Sequence, residues 1–253
     1  MNEKLQKEIA DAIQAHKNHS AAEKLHNRFG GTYIKDFVYG ANDGIVTTFA
    51  VVAGVAGAGL SSKVVLILGF ANLIADGISM AVGNYIGTKS EQQYAKTERH
   101  VEEWEIAHIP EEEQAEVREI YRRKGLKGEE LEQVVNAVTS HKRIWVDTMM
   151  VEELGLVPQV ELGDPRKPAL ATFIAFVSAG AVPLVPFIFG LSGQRGFLFS
   201  LVMAGVTLFI VGACRVFITR AKWFKSGLEV FIVGAMAGAA AYGVGALIEK
   251  IIQ

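Results

Sequence analysis

The sequence predicts an all-α membrane protein, with five transmembrane helices and a three-helix cytoplasmic insert between the second and third spans. Three observations carry this reading. Apolar runs fill 36–88 and 169 to the C-terminus, whereas the interval 89–167 is dense in Glu, Lys and Arg. Hydrophobic residues make up 50% of the chain, more than a soluble domain needs. Charged residues make up 21%, too many for a protein lying wholly in lipid, so the two classes must be segregated. Basic residues gather on one side of the spans: Lys4, Lys7, Lys17, Lys24, Arg28 and Lys35 before the first, many in the insert, and Arg215, Arg220, Lys222 and Lys225 between the fourth and fifth. The other side has little beyond Lys63, Arg195 and Lys250. By the positive-inside rule the N-terminus and insert are cytoplasmic, and an odd number of spans puts the C-terminus across the membrane.

Taken in order, the chain divides into 1–32, 33–88, 89–165 and 166–253. Residues 2–29 carry Leu5, Ile9, Ile13 and Leu25 in an amphipathic rather than a spanning pattern, and Gly30 and Gly31 are expected to end that helix before the first span begins near Tyr33. A polar start with no apolar core argues against a signal peptide. The short link GLSSK makes the first two spans an antiparallel hairpin. The second run passes into KSEQQYAKTERHVEEWEIAHI without a proline or turn cluster, so its helix is expected to continue into the insert as far as His108. Pro110 then opens a second insert helix, Gly125 and Gly128 end it, and a longer third is expected from Glu129 to about Leu154. Three further spans follow Pro165. Pro183 and Pro186 should bend or unwind the third, and Gly234 and Gly238 suit the fifth to close helix contact.

A formal net charge of −2, with no dominant basic stripe, gives no reason to expect nucleic acid. The one cysteine, Cys214, cannot form an intrachain disulfide or a thiolate cluster.

Function is signalled first by Asp43, which lies in DFVYGANDGIVTTFAVVAGVAGAGL, a stretch otherwise fit for lipid. A carboxylate there costs about 2.5–3.5 kcal/mol on insertion scales, and a charge kept at that cost faces a partner, a pore or a bound cation. In the second run Asn72, Asp76 and Met80 stand at i, i+4 and i+8, on one helix face. Oxygen and thioether donors on one stripe suggest a metal path, although Asp76 would serve equally as a boundary cap and Met80 as packing.

The insert repeats this chemistry. Glu102, Glu105 and His108 are spaced three apart, as are Glu113 and Glu116, and Met149, Met150 and Glu153 cluster late in the third helix. Carboxylates with thioethers fit a borderline first-row ion such as Fe2+ better than Mg2+ or Ca2+. The bland alternatives are that the acids after Pro110 only answer the helix dipole and that the methionines are core. Glu105 and His108 also have the Glu-x-x-His spacing of di-iron carboxylate bundles. That leaves open a membrane-anchored ferroxidase or iron sensor, although such a bundle needs two of these motifs and one is present.

The segments YGANDGIVTTFAVVAGVAGA, ANLIADGISMAVGNYIGTKSE and WVDTMMVEELGL, set in a five-span plan with an insert after the second, resemble the vacuolar iron transporter family from about Phe29 onward. The resemblance implies a transporter rather than an enzyme, with no prosthetic group. It would move cytosolic Fe2+, and often Mn2+, into a vacuole or out of a microbial cell across its plasma membrane. Exchange with protons is implied, as is a homodimer whose path runs between the first spans of the two protomers. It assigns Asp43 and Met80 to that path, where the helical stripe shared with Met80 also puts Asp76. Glu102, Glu105, Glu113, Glu116, Met149, Met150 and Glu153 fall to an ion-collecting site, where helical spacing favours Glu153 over its neighbour Glu152.

Overall fold

A computed structural model of the protein describes residues 28–156, 163–216 and 222–252, together with 6, 9, 10, 13, 14 and 17. Most of the helix predicted over 2–29 lies outside the described residues. The described chain is helical, and five of its helices are long and apolar enough to cross a membrane. It forms two compact units, one made of 1–84 with 167–253 and the other of 85–166.

In the first unit, α1 (Arg28–Gly57) turns through Gly59 into α2 (Ser62–His108). Gly59 has φ +64°, a left-handed conformation that side chains with a Cβ rarely adopt, and so it permits the tight hairpin. Gly30 and Gly31, expected to end a helix, instead lie inside α1. Glycine costs a helix only about 1 kcal/mol, and neither residue is followed by a proline or turn cluster that would exploit the weakness. The 47 residues of α2 extend about 70 Å at 1.5 Å per residue, roughly twice a bilayer core, and only the first half is apolar.

The third span is interrupted. It begins as α6 (Arg166–Gly180), tightens into a 3-10 turn at Val182–Leu184 and resumes as α7 (Val185–Ile188). Pro183 and Pro186 lack the N–H groups that a continuous helix would use. The Ser200 hydroxyl, buried on α8 (Gly193–Cys214), donates to the Pro183 carbonyl at 2.7 Å, so a neighbouring helix satisfies what the break leaves over. The fifth span is α9 (Trp223–Ile252).

Helices α1, α8 and α9 pack on one another around Ile45, Phe49, Val52, Phe176, Leu184 and Leu208. Close approach depends on small residues. A Cβ on Gly44 would run into the backbone carbonyl of Phe176 in α6, and Gly238 of α9 receives the ring of Phe49.

The second unit holds the polar end of α2 with α3 (Pro110–Arg123), α4 (Gly128–Thr139) and α5 (Lys142–Glu152). The single third helix expected over 129–154 is thus two, parted at Ser140 and His141. Thr139 donates to the Val135 carbonyl and Ser140 to that of Ala137, both at 2.9 Å, competition of the kind that ends helices. Val117, Val135, Trp145, Val146, Met149 and Met150 form the core of this unit.

Replacing Gly44 with Val forces α1 away from α6 and should lower stability by about 2 kcal/mol. Gly83→Ala, whose new methyl meets nothing within 4 Å, should cause no loss. Thermal unfolding of the detergent-purified protein compares them, and equal melting temperatures would contradict this packing.

Candidate functional site

Within the first unit, Asp43 is half-buried on α1, and its backbone carbonyl accepts a 2.8 Å hydrogen bond from Thr47. Asp76 on α2 lies near enough for the two carboxylates to repel each other. Asn72 and Met80 are half-buried on the same helix, and Met80 packs at the edge of the apolar core. Among the described residues no Lys, Arg or His forms an ion pair with Asp43 or Asp76. Two ionisable groups without a counter-ion on spanning helices mark a candidate functional site.

The sequence reading passed over Asp36, which stands two turns before Asp43 on α1. Its Oδ1 accepts a 2.7 Å hydrogen bond from the Asn84 amide of α2, which also donates at 2.7 Å to the Thr172 hydroxyl of α6. Thr172 is fully buried and donates onward to the Pro168 carbonyl at 3.0 Å. One amide therefore ties three spans together. The seven-residue interval from Asp36 to Asp43 was the available signal, whereas Asn84 and Thr172, singly, look like ordinary span residues.

In the second unit, Glu102 from α2 and Glu113 from α3 are each only 4% exposed, and one oxygen of each carboxylate has no hydrogen-bond partner. Glu105 is half-buried, and Glu116 and Glu153 are exposed beside them. Burial, then repulsion from Glu153, Glu113, Glu105 and Glu116, pushes the Glu102 carboxyl up to about 8. Burial followed by Glu116, Glu105 and Glu153 pushes Glu113 up to about 7. Glu153 is raised by burial, by repulsion from Glu116 and Glu105, and by a hydrogen bond with Glu116.

The acids thus influence one another, and among the described residues no cation pairs with Glu102, Glu105, Glu113, Glu116 or Glu153. Cations nearby are engaged elsewhere: Lys124 pairs with Glu152, Arg118 with Glu132 at 2.8 Å, and Arg99 with Asp147 at 2.6 Å. The Lys124 contact also separates the adjacent acids, holding Glu152 apart while Glu153 joins the cluster. Met149 and Met150 are buried in the apolar core of this unit. His108, stacked on Trp104 at 4.5 Å with its Nδ1 2.7 Å from the Trp104 carbonyl, is exposed. Among the described residues no group of three or more His, Cys, Asp or Glu side chains is placed to hold a metal ion. The arrangement is an acidic cluster in which Glu102 and Glu113 each keep one buried oxygen without a partner.

The model of the VIT family matches residues 34–246. Curated relatives include a "Vacuolar iron transporter" of Toxoplasma gondii (strain ATCC 50861 / VEG), 39% identical over 235 residues, spanning 90% of this chain and 78% of the relative. "Vacuolar iron transporter 1" of Eucalyptus grandis is 37% identical over 223 residues, 87% of this chain and 88% of the relative. The protein of that name from Arabidopsis thaliana is 36% identical over 226 residues, 88% of this chain and 87% of the relative.

The raised carboxyls give stability a definite sign with pH. Because the folded values of about 8 and 7 exceed the usual 4.5, their neutral forms favour the folded state. That contribution is complete below pH 4.5 and disappears as pH rises through 7 and 8. Metal-free protein should therefore lose stability between pH 5 and 8. Glu102→Gln should restore about 2 kcal/mol at pH 8 and nothing at pH 4. Denaturant unfolding followed by tryptophan fluorescence tests both, and a pH-independent difference would refute the cluster's electrostatics.

Proposed function

Because this chain belongs to the VIT family, we propose that it transports Fe2+ across a membrane and out of the cytosol, in exchange for protons. The observation that carries this reading is that, among the described residues, acidic groups lie without counter-cations both in the spans and in the polar unit. Relatives bearing iron-transporter names support it. The membrane is a vacuolar or a microbial plasma membrane, with the polar unit and N-terminus on the cytosolic side, as the distribution of basic residues favours.

In this reading the polar unit is the collector. Glu102, Glu105, Glu113, Glu116 and Glu153 draw divalent ions from the cytosol, and Met149 and Met150 add polarizable sulfur behind them. An arriving ion displaces the protons of Glu102 and Glu113, so binding strengthens as pH rises toward 8. In the spans, Asp43 is the central resting place, Asp76 adds a second carboxylate, and Met80 offers a soft ligand. The thioether selects Fe2+, Mn2+, Co2+, Ni2+ and Zn2+ over Ca2+ and Mg2+.

A carboxylate in apolar surroundings holds a metal ion or a proton but not readily both, which gives the exchange its physical basis. Two protomers with the path between their first spans would double the ligand set at Asp43. The ferroxidase or sensor alternative gains no support, since the relatives carry transporter names and His108 is occupied with Trp104.

Proteoliposome flux tests the division of labour. Asp43→Ala should reduce Fe2+ transport at least about tenfold, the loss of ~1.4 kcal/mol or more at the barrier, while calorimetric Fe2+ binding at the polar unit persists. Replacing Glu102, Glu105, Glu113 and Glu116 together with Ala should weaken that binding and slow flux without abolishing it. Undiminished transport by Asp43→Ala would remove the path assignment, and unchanged affinity in the fourfold variant would remove the collector.

A further inference from the structure

Another face of α1 lines a second cavity, apolar over most of its surface and edged by basic side chains. Lys35, Tyr39 and Asn42 stand at i, i+4 and i+7, rotated by one residue, about 100°, from Asp36 and Asp43. With Arg215 at the C-terminal cap of α8 and apolar neighbours on α1 and α9, they line a cavity of about 390 Å³. Lys35 and Arg215, from separate elements at the ends of two spans, both line it, and among the described residues no carboxylate does. Glu229 approaches Arg215 at 3.5 Å from an exposed position, and Asp36 is bonded to Asn84 on the other side of α1. Asn42, which also lines the cavity, keeps its Oδ1 buried with no hydrogen-bond partner.

These features specify a ligand. Lys35, together with Arg215 that also meets Glu229, favours an anion; the phenol and amide can hydrogen-bond to it, and the orphaned Asn42 oxygen calls for a donor carried by the same molecule. Ile34, Val38 and Val230 form apolar walls suited to the first carbons below a headgroup. Basic pockets between spans at the membrane boundary bind anionic lipid headgroups. We propose that this cavity is a binding site for an anionic phospholipid whose headgroup also carries a hydroxyl donor, as phosphatidylglycerol does. The phosphate lies between Lys35 and Arg215, and the hydroxyl donates to Asn42. The site is separate from the carboxylate path and does not depend on what is transported.

The test uses the full chain, delipidated in detergent, with thermal unfolding and native mass spectrometry read after adding one lipid at a time. Phosphatidylglycerol should be retained at least about fivefold over phosphatidylcholine and phosphatidic acid, and should raise the melting temperature. Glycerol phosphate without acyl chains should do neither. Lys35→Gln with Arg215→Gln should erase the preference, and Asn42→Leu should bring phosphatidylglycerol down to the level of phosphatidic acid. Lys222→Gln with Lys225→Gln, exposed cations outside the cavity, should leave the preference intact. Equal retention of phosphatidic acid by the unaltered chain, full stabilisation by glycerol phosphate, or an equal loss in the Lys222 and Lys225 control would each overturn the proposal.

Discussion

Carboxylates without counter-cations are the constraint on which the rest of the structure depends. Asp43 and Asp76 repel each other within apolar spans, and Glu102 and Glu113 are buried with an unsatisfied oxygen on each. Isolated negative charge in such surroundings is costly, and burial with mutual repulsion holds the Glu102 and Glu113 carboxyls well above the usual carboxylate range. A fold optimised only for stability would pair or remove these acids. Here the available cations are matched to other acids, as with Lys124 and Glu152 or Arg99 and Asp147, which leaves the cluster uncompensated.

The scaffold is arranged to hold such groups in place. Glycine at Gly44 lets α1 meet the α6 backbone, and the Phe49 ring fills the space over Gly238. The Asn84 amide joins α1, α2 and α6 through Asp36 and Thr172. The broken third span costs little because Ser200 takes up the Pro183 carbonyl. In the polar unit, the apolar core beneath Met149 and Met150 fixes the helices that carry the acids. Rigid helices on which charged groups are exposed to one another can bind an ion with little rearrangement.

Much of this was legible in the sequence because hydrophobic runs and charge segregation are strong, local signals. The five apolar helices, the unbroken passage of α2 into polar sequence and the break at Pro183 all follow from patterns a few residues long. Finer features were set by competition that composition does not reveal. Gly30 and Gly31 stayed helical because nothing nearby offered a better turn, and Thr139 and Ser140 divided the third insert helix by bonding to their own backbone. Among the acids, spacing identified which helix face each occupies, but not that Lys124 would take Glu152. Asp36 was passed over because its importance lies in Asn84, a partner 48 residues away.

Proton release on metal binding examines the central claim most directly. Fe2+ is titrated anaerobically into the purified chain at pH 6.5, in buffers of different ionisation enthalpy, and the number of protons released is read from the dependence of the heat on the buffer. With Glu102 near 8 and Glu113 near 7, both are largely protonated at that pH, so binding should expel at least about one proton per ion, and fewer above pH 8. Tight binding with no protons released would contradict the account, since the acids would then be holding neither the proton nor the metal as their surroundings require.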